Sequence, residues 1–396
     1  MAGNTINIFS RSGHLGGMEF RVLDETQWLN NHGWDAKAYF SPFTDWQRLI
    51  GLGQDRGVSV DRLPLPLFLE SWRMRHLRGW HAKLVSHWFR RRLDSEAVHV
   101  PFAWTEQGMS PLWFAAQFSR RIVISVHNVF PVEELNSWQF KWMQEAFNKV
   151  TGIYGVSPAA TRAFQEIFET VIRPDTVLET IPNYVDVDRF QPSEQCRASM
   201  RSRLGFSEKT RVIGSLGRIS AQKRPVMLVD VFARMLTLAP DTDLRLLLIG
   251  GGELKEEVLL RAADHGIQEQ IIITDFVPNP EDYLSAVDVN VLASTREGCP
   301  LAALEAMAAG VPVVLTDVPG SRSVLDQKRG CVFVPRDDVD AIARTLNELI
   351  GDRQQLRERG AQARREAVSE FSRPVWDERL DRFYSHALGT KKDAIL

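Results

Sequence analysis

Arg296-Glu297-Gly298-Cys299-Pro300-Leu301-Ala302-Ala303-Leu304-Glu305-Ala306-Met307-Ala308-Ala309-Gly310 is the stretch from which the fold can be read. Before it runs Asp288-Val289-Asn290-Val291-Leu292-Ala293, and after it Val311-Pro312-Val313-Val314-Leu315-Thr316. Both are short, apolar and bounded, the pattern of buried strands. Between them Gly298 permits a sharp turn, Pro300 suits the first helical position, Leu301 to Ala309 favour helix, and Gly310 is a natural stop. The expected unit is strand, loop, helix, strand, with a ligand-sized gap at the helix start.

A helix start carries amide groups without intrahelical acceptors and the positive end of the helix dipole, so it attracts phosphate. Glu297 sits in the loop just before it. Glu305 is five residues past Pro300, roughly 7.5 Å along the axis at 1.5 Å per residue, and helical side chains lean toward the N-terminus. Both carboxylates can therefore face one ligand. Beside a phosphate a carboxylate is tolerable when it accepts hydrogen bonds from hydroxyls, so the arrangement suits a sugar or ribose attached to phosphate. The plainer alternative is a helix with one solvated glutamate in its first turns.

Two further stretches bear on that choice. Leu216-Gly217-Arg218-Ile219-Ser220-Ala221-Gln222-Lys223-Arg224-Pro225 follows the strand Arg211-Val212-Ile213-Gly214-Ser215 and places cations at a strand end. Ile181-Pro182-Asn183-Tyr184-Val185-Asp186-Val187-Asp188-Arg189-Phe190 precedes it as a connector. With the spacing of Glu297 and Glu305, this order resembles the family 4 glycosyltransferases, retaining enzymes of GT-B fold. The resemblance runs from about Asn7 to Tyr384, dense in the C-terminal half and thin between Asp45 and Gln117.

The resemblance implies an α/β chain of two Rossmann-like, doubly wound parallel-sheet domains facing across a cleft. Residues 1–190 would form the acceptor-side domain, joined by a C-terminal crossover helix over about 374–396, and residues 191–373 the donor domain. A length of 396 residues suits two domains of ordinary size. Strands and helices alternate through the second half: the Val212 strand, a helix near Val226 to Leu238, the strand Leu244 to Ile249, a helix near Leu254 to His265, and Ile271 to Thr274. That alternation argues a parallel sheet independently.

In the first half Ile6 to Phe9, Asp35 to Phe40, Arg121 to Val126, Gly152 to Val156 and Thr176 to Ile181 read as strands. A helix from about Met18 to Asn31 and one opened by Ser157-Pro158 follow two of them. Gly16 and Gly17 let backbone approach a ligand, and a G-x-G-x-x-G dinucleotide pattern is absent. The resemblance sets Gly16-Gly17 against the donor's diphosphate and sugar. It sets His127, at a strand end, beside the sugar, backbone near Phe276 and Val277 against the base, and Gly252 of the glycine triplet toward the cleft. A glycine pair is otherwise a turn, a triplet a tight strand-to-helix connection, and a lone histidine a packing residue. Gly320-Ser321-Arg322-Ser323, read as a loop, departs from the family, which commonly has a glutamate near Ser323.

Net charge is −2, which gives bulk electrostatics no reason to bind nucleic acid. Cys196, Cys299 and Cys331 are too scattered for a disulfide scaffold or zinc site, and fit a cytoplasmic protein. The N-terminus shows no signal-peptide pattern, and no run of about 18 apolar residues is present to span a membrane. Trp72 to Arg92 interleaves tryptophans with arginines, a pattern for an anionic membrane surface or an acidic acceptor, or else a packed helix with a solvated basic face.

The function implied is sugar transfer from a nucleotide-diphosphate-sugar to an acceptor hydroxyl with retention, in bacterial cell-surface glycan or glycolipid synthesis, including lipid-linked or lipopolysaccharide-type acceptors. Arg218, Lys223 and the amides near Gly298, Cys299, Pro300 and Leu301 would stabilise the leaving diphosphate. Glu305 would take the ribose diol, Glu297 the sugar hydroxyls, and His127 would lie near the oxocarbenium-like carbon. Two cations make a metal unnecessary, so neither metal nor cofactor is expected. Front-face attack assisted by the leaving phosphate is expected, with domain closure excluding water. The rival readings are an inactive sugar-nucleotide-binding partner subunit and a sugar-phosphate epimerase or phosphorylase on the same architecture.

Overall fold

The computed structural model describes residues 5–11, 16–40, 46–63, 93, 95–102, 105–117, 119–130 and 143–389. Trp72 to Arg92, the candidate membrane segment, lies outside them. The chain divides into two compact units, Met1–Ile181 with Asp377–Leu396, and Pro182–Trp376.

The first unit holds a seven-stranded parallel sheet of order β3-β2-β1-β4-β5-β6-β7. Its strands are β1 (Thr5–Ser10), β2 (Asp35–Phe40), β3 (Ser59–Arg62), β4 (Ala97–Phe102), β5 (Arg121–Val126), β6 (Val150–Gly155) and β7 (Val177–Thr180). β3 and β4 were not anticipated. β4 is buried at every residue, as befits a strand covered on both faces. Among its helices are α1 (Gly17–Asn31), α2 (Trp46–Asp55), α3 (Thr105–Ala115) and α4 (Pro158–Phe168). Ser157 caps α4 by accepting from the Ala160 amide at 3.1 Å, with Pro158 opening the helix.

The second unit repeats the plan. Its six parallel strands run in the order β10-β9-β8-β11-β12-β13, with β8 (Arg211–Leu216), β9 (Leu244–Ile249), β10 (Ile271–Ile273), β11 (Val289–Leu292), β12 (Val313–Thr316) and β13 (Cys331–Val334). The helices are α5 (Glu194–Arg203), α6 (Pro225–Leu238), α7 (Lys255–Asp264), α8 (Pro280–Ser285), α9 (Leu301–Ala308), α10 (Pro319–Leu325), α11 (Val339–Gly351) and α12 (Arg353–Phe371), while α13 (Arg373–Leu388) begins here and runs on in the first unit from Asp377. Strand order reverses between β1 and β4 and again between β8 and β11, which pair Val289 with Ile213 and Asn290 with Gly214. At such switch points a crevice opens outside the carboxyl ends of the strands.

Three details differ from the sequence reading. Gly320 to Ser323 lie inside α10, where Pro319 opens the helix. Pro300 precedes α9: its φ of −72° and ψ of 104° are extended, while its carbonyl accepts from the Ala303 and Leu304 amides at 3.0 and 3.2 Å. The connector Pro182 to Phe190, placed by the sequence reading at the end of the first domain, falls in the second unit. It is tied there by Asn183, which donates to the Cys299 carbonyl at 2.9 Å, and by the Val185 amide, which donates to Phe371 O at 2.7 Å.

The last helix contributes to both units. Near its start Trp376 packs 4.9 Å from Tyr184. In the first unit, Phe383 meets Tyr154 edge-on at 5.1 Å and Tyr384 stacks on Trp28 at 5.7 Å. No helix among the described residues is long and apolar enough to cross a membrane.

Candidate functional site

The two switch-point strands of the second unit deliver the candidate residues. After β8 the chain turns at Gly217, whose φ of 147° belongs to glycine, passes Arg218 and Lys223, and enters α6 with Arg224 in the left-handed region at φ 53°. After β11 it passes Ser294, Glu297 and Cys299 into α9. The loops are fastened together: Thr295 N donates to Gln222 O at 2.9 Å, and the Gln222 side-chain amide donates to Arg296 O at 2.9 Å.

At this junction Lys223 Nζ lies 2.5 Å from Glu297 Oε1, and Ser294 Oγ donates to the same oxygen at 2.6 Å. Glu297 is buried and Lys223 partly so. A buried carboxylate without partners would cost several kcal/mol, and the lysine and serine are the partners that offset the burial of Glu297. Both contacts fall on Oε1. From below, α10 supports the loop: a Cβ at Gly320 would overlap the carbonyls of Glu297 and Gly298. Gly298, Cys299 and Pro300 are buried, and the Leu301 and Ala302 amides open α9 with no capping side chain.

The loop after β9 completes this end of the sheet. Ile219 N donates to Gly251 O at 3.0 Å and Leu254 N to Ile219 O at 3.1 Å. A Cβ at Gly252 would overlap the Ile219 carbonyl. The triplet's first demonstrable job is thus to let two backbones touch. Phe276 is 63% exposed and Val277 half-buried. Glu305 is half-buried on α9. Its charge, with those of Glu281 and Asp186, acts on Arg189, whose pKa is raised first by the hydrogen bond to Glu281. Arg189 donates to Pro278 O and to Glu281 Oε2, both at 2.8 Å. Arg218 is exposed on the β8 loop.

In the first unit Gly16 precedes α1 in extended conformation and Gly17 begins it, at the carboxyl end of β1. His127 follows β5, its amide donating to Phe102 O at 2.8 Å. Its Nε2 lies 2.9 Å from Ser125 Oγ. Burial first, then the charges of His99 and Arg21, push its pKa down to about 3, so the ring is neutral at ordinary pH.

Lys223 and Glu297 are brought into contact, and Arg218 shares a loop with Lys223. Sequence reasoning missed Ser294, and quoted Gly320, Arg189 and Asn183 without giving them a task. A serine three residues before the glutamate was the one local signal; the others act across sequence separations that no spacing rule covers. Arg322, where the family commonly has a glutamate nearby, is engaged by Asp317 at 2.9 and 2.7 Å, contacts Asp326, and lies over the Phe333 ring. Among the described residues no cluster of three or more potential ligands could hold a metal. A cavity of about 650 Å³ opens at the opposite, amino ends of the strands, lined by Arg197, Arg201, Arg211 and Asp288, away from these loops.

Residues 197–366 match the family model of glycosyl transferases group 1, and residues 15–189 that of glycosyltransferase family 4. The chain is 31% identical over 263 residues to a GDP-mannose-dependent alpha-(1-6)-phosphatidylinositol monomannoside mannosyltransferase of Mycolicibacterium smegmatis, covering 64% of this chain and 67% of the relative. It is 34% identical over 221 residues to a D-inositol 3-phosphate glycosyltransferase of Nocardia farcinica, covering 53% of this chain and 48% of the relative. Among solved structures, the Anabaena protein HepE in complex with UDP superposes with a TM-score of 0.77 at 17% identity, over 96% of this chain and 99% of that one. That likeness concerns the fold, two doubly wound parallel sheets of GT-B type.

Proposed function

The chain belongs to the group 1 glycosyl transferases of family 4, and from that premise we propose that it moves a sugar from a nucleotide-diphosphate-sugar to an acceptor hydroxyl with retention at the anomeric carbon. The observation that carries the reading is the Lys223–Glu297–Ser294 cluster at the carboxyl ends of switch-point strands, beside the uncapped start of α9. One cation, one acid and a helix start meet there, as the chemistry of a glycosyl diphosphate requires.

Breaking the anomeric bond builds negative charge on the diphosphate. Lys223 and Arg218, with the amides opening α9, would stabilise it as preorganised donors, which is worth most where water is excluded. Glu297 accepts from sugar hydroxyls, and Glu305 from the ribose diol. His127 serves at the sugar through its carbonyl or neutral ring. Two cations and a helix start supply the positive charge in this reading, and transfer is expected to proceed without added metal.

The acceptor class rests on the relatives. One relative is named as a phosphatidylinositol monomannoside mannosyltransferase and another, from Escherichia coli, as an alpha-D-GlcNAc-diphosphoundecaprenol galactosyltransferase. A glycolipid acceptor in bacterial glycan synthesis is the reading these names support; that the protein reaches it from the cytoplasmic side by peripheral attachment is part of the same proposal.

Screening nucleotide sugars by thermal shift tests the proposal, since a binder raises apparent stability according to its affinity. One or more GDP- or UDP-sugars should raise Tm and be slowly hydrolysed. Binding without hydrolysis or transfer would restore the inactive-subunit alternative, and no binding by any nucleotide sugar would overturn the donor assignment.

A further inference from the structure

Glu25 is 1% exposed on the inward side of α1, an unusual place for a carboxylate. Tyr154 Oη donates to its Oε2 at 2.7 Å, and Tyr384 Oη, from α13, donates to its Oε1 at 2.7 Å. The contacts continue without a break. Tyr384 Oη is 3.4 Å from His99 Nδ1, His99 Nε2 is 2.7 Å from Ser125 Oγ, and Ser125 Oγ is 2.9 Å from His127 Nε2. His99 and Ser125 are wholly buried in adjacent strands, β4 and β5. A chain of hydrogen bonds therefore runs from the last helix to the candidate histidine.

Proton counting gives the chain a direction. Each hydroxyl has one proton, and a neutral imidazole has one donor and one acceptor nitrogen. With Glu25 ionised, Tyr384 spends its proton on Oε1 and can only accept from His99, so His99 carries its proton on Nδ1. Its Nε2 then accepts from Ser125. Ser125, its proton spent, accepts from His127, which must carry its proton on Nε2. Ser125 is also a hydrogen-bond neighbour of Tyr154; its proton is assigned to His99 because that 2.7 Å contact is shorter than the one to His127. The charged group facing His127 and Tyr154 from α1 is Arg21, paired with Asp24 at 3.5 Å.

We propose that Glu25, acting through Tyr384, His99 and Ser125, determines which ring nitrogen of His127 carries the proton, leaving Nδ1 as the lone-pair atom. These four are positioning residues. The consequence for sugar transfer rests on the reading that His127 works at the reacting sugar; the tautomer itself does not.

The test is long-range ¹H–¹⁵N correlation on the full chain labelled at histidine, at pH 8. In the wild-type protein His127 should show a single neutral form protonated on Nε2. Ser125→Ala, which removes the link, should move its two nitrogens toward the averaged shifts of mixed tautomers, and Ser125→Thr should restore the original pattern. Tyr384→Phe, which keeps the ring packing, should shift both His99 and His127. In donor hydrolysis, Ser125→Ala should lower kcat on the order of tenfold, with KM little changed. An Nδ1-protonated His127 in the wild type, or an unchanged tautomer in a folded Ser125→Ala protein, overturns the proposal. Full transfer by His127→Ala would instead remove the histidine from the proposed function while leaving the tautomer result standing.

Discussion

Lys223 Nζ stands 2.5 Å from Glu297 Oε1 although the two residues are separated by 74 positions in the chain. The contact joins the loops that leave β8 and β11, the neighbouring strands at which sheet order reverses. Opposite charges are held together there in a partly desolvated place; under the proposed function the lysine would meet the departing phosphate and the carboxylate the sugar hydroxyls.

Replacing Lys223 by alanine should lower turnover on the order of 10²-fold or more, as for losing a preorganised charge partner. Arg218→Ala should behave likewise if it shares the diphosphate. Single-turnover kinetics with the donor identified by thermal shift decide this, and near-normal transfer in both variants removes the pair from the mechanism. Lys223→Ala also strands Glu297, so its Tm should fall, and Lys223→Ala combined with Glu297→Gln should recover part of that fall.

Glu305→Ala should weaken binding of the free nucleoside diphosphate by roughly 10-fold or more, the worth of a hydrogen bond to a charged acceptor. Titration calorimetry measures it directly. Unaltered affinity would mean that Glu305 serves only to balance Arg189.

Gly320→Ala should destabilise the protein by about 1–3 kcal/mol, the usual cost of forcing atoms into packed space. The added methyl must push the Glu297 and Gly298 carbonyls away, so donor binding should suffer too. Gly51→Ala is the control: that position is inside α2 with open space around it, and the change should be neutral or slightly stabilising. Urea unfolding should give a midpoint for Gly320→Ala clearly below the wild-type value, and one for Gly51→Ala at or slightly above it.

The pH dependence of stability should carry the mark of Glu25. Burial is the largest influence and raises its pKa from 4.5 to about 7 against the opposing hydrogen bonds from Tyr384 and Tyr154. Between those values the folded state holds more protons than the unfolded one, so this group makes the protein less stable as pH rises toward 7. His99 and His127, both pushed by burial from 6.5 to about 3, act in the opposite sense and cost stability as pH falls below 6.5. Glu25→Gln removes only the first effect. The Tm of the variant relative to wild type should therefore be higher at pH 8 than at pH 5, and a difference independent of pH would contradict the shift.

Much of this molecule is legible in the order of its residues. Short apolar runs ending in glycine or serine, each followed by helix formers, dictate alternating strands and helices, because such runs can be satisfied only by a sheet covered on both faces. β5 begins and ends at the residues the sequence indicates, Arg121 and Val126. The cations of the β8 loop and the acids of the α9 segment were visible as local patterns of charge beside turn residues. β4 was not, because Ala97-Val98-His99-Val100-Pro101-Phe102 contains a histidine and a proline that argue against a buried strand. Its histidine is tolerated because Ser125 and Tyr384 receive its ring nitrogens.

What the chain order could determine was which segments become strands, which loops carry charge, and which family pattern they follow, since each depends on neighbours within a few residues. Only tertiary structure decided that Lys223 and Ser294 converge on one oxygen of Glu297, that Gly320 underlies the same loop, and that Glu25 connects through three further residues to His127. The physical reason is that burial makes a polar group depend on a specific partner, and packing can draw that partner from anywhere in the chain.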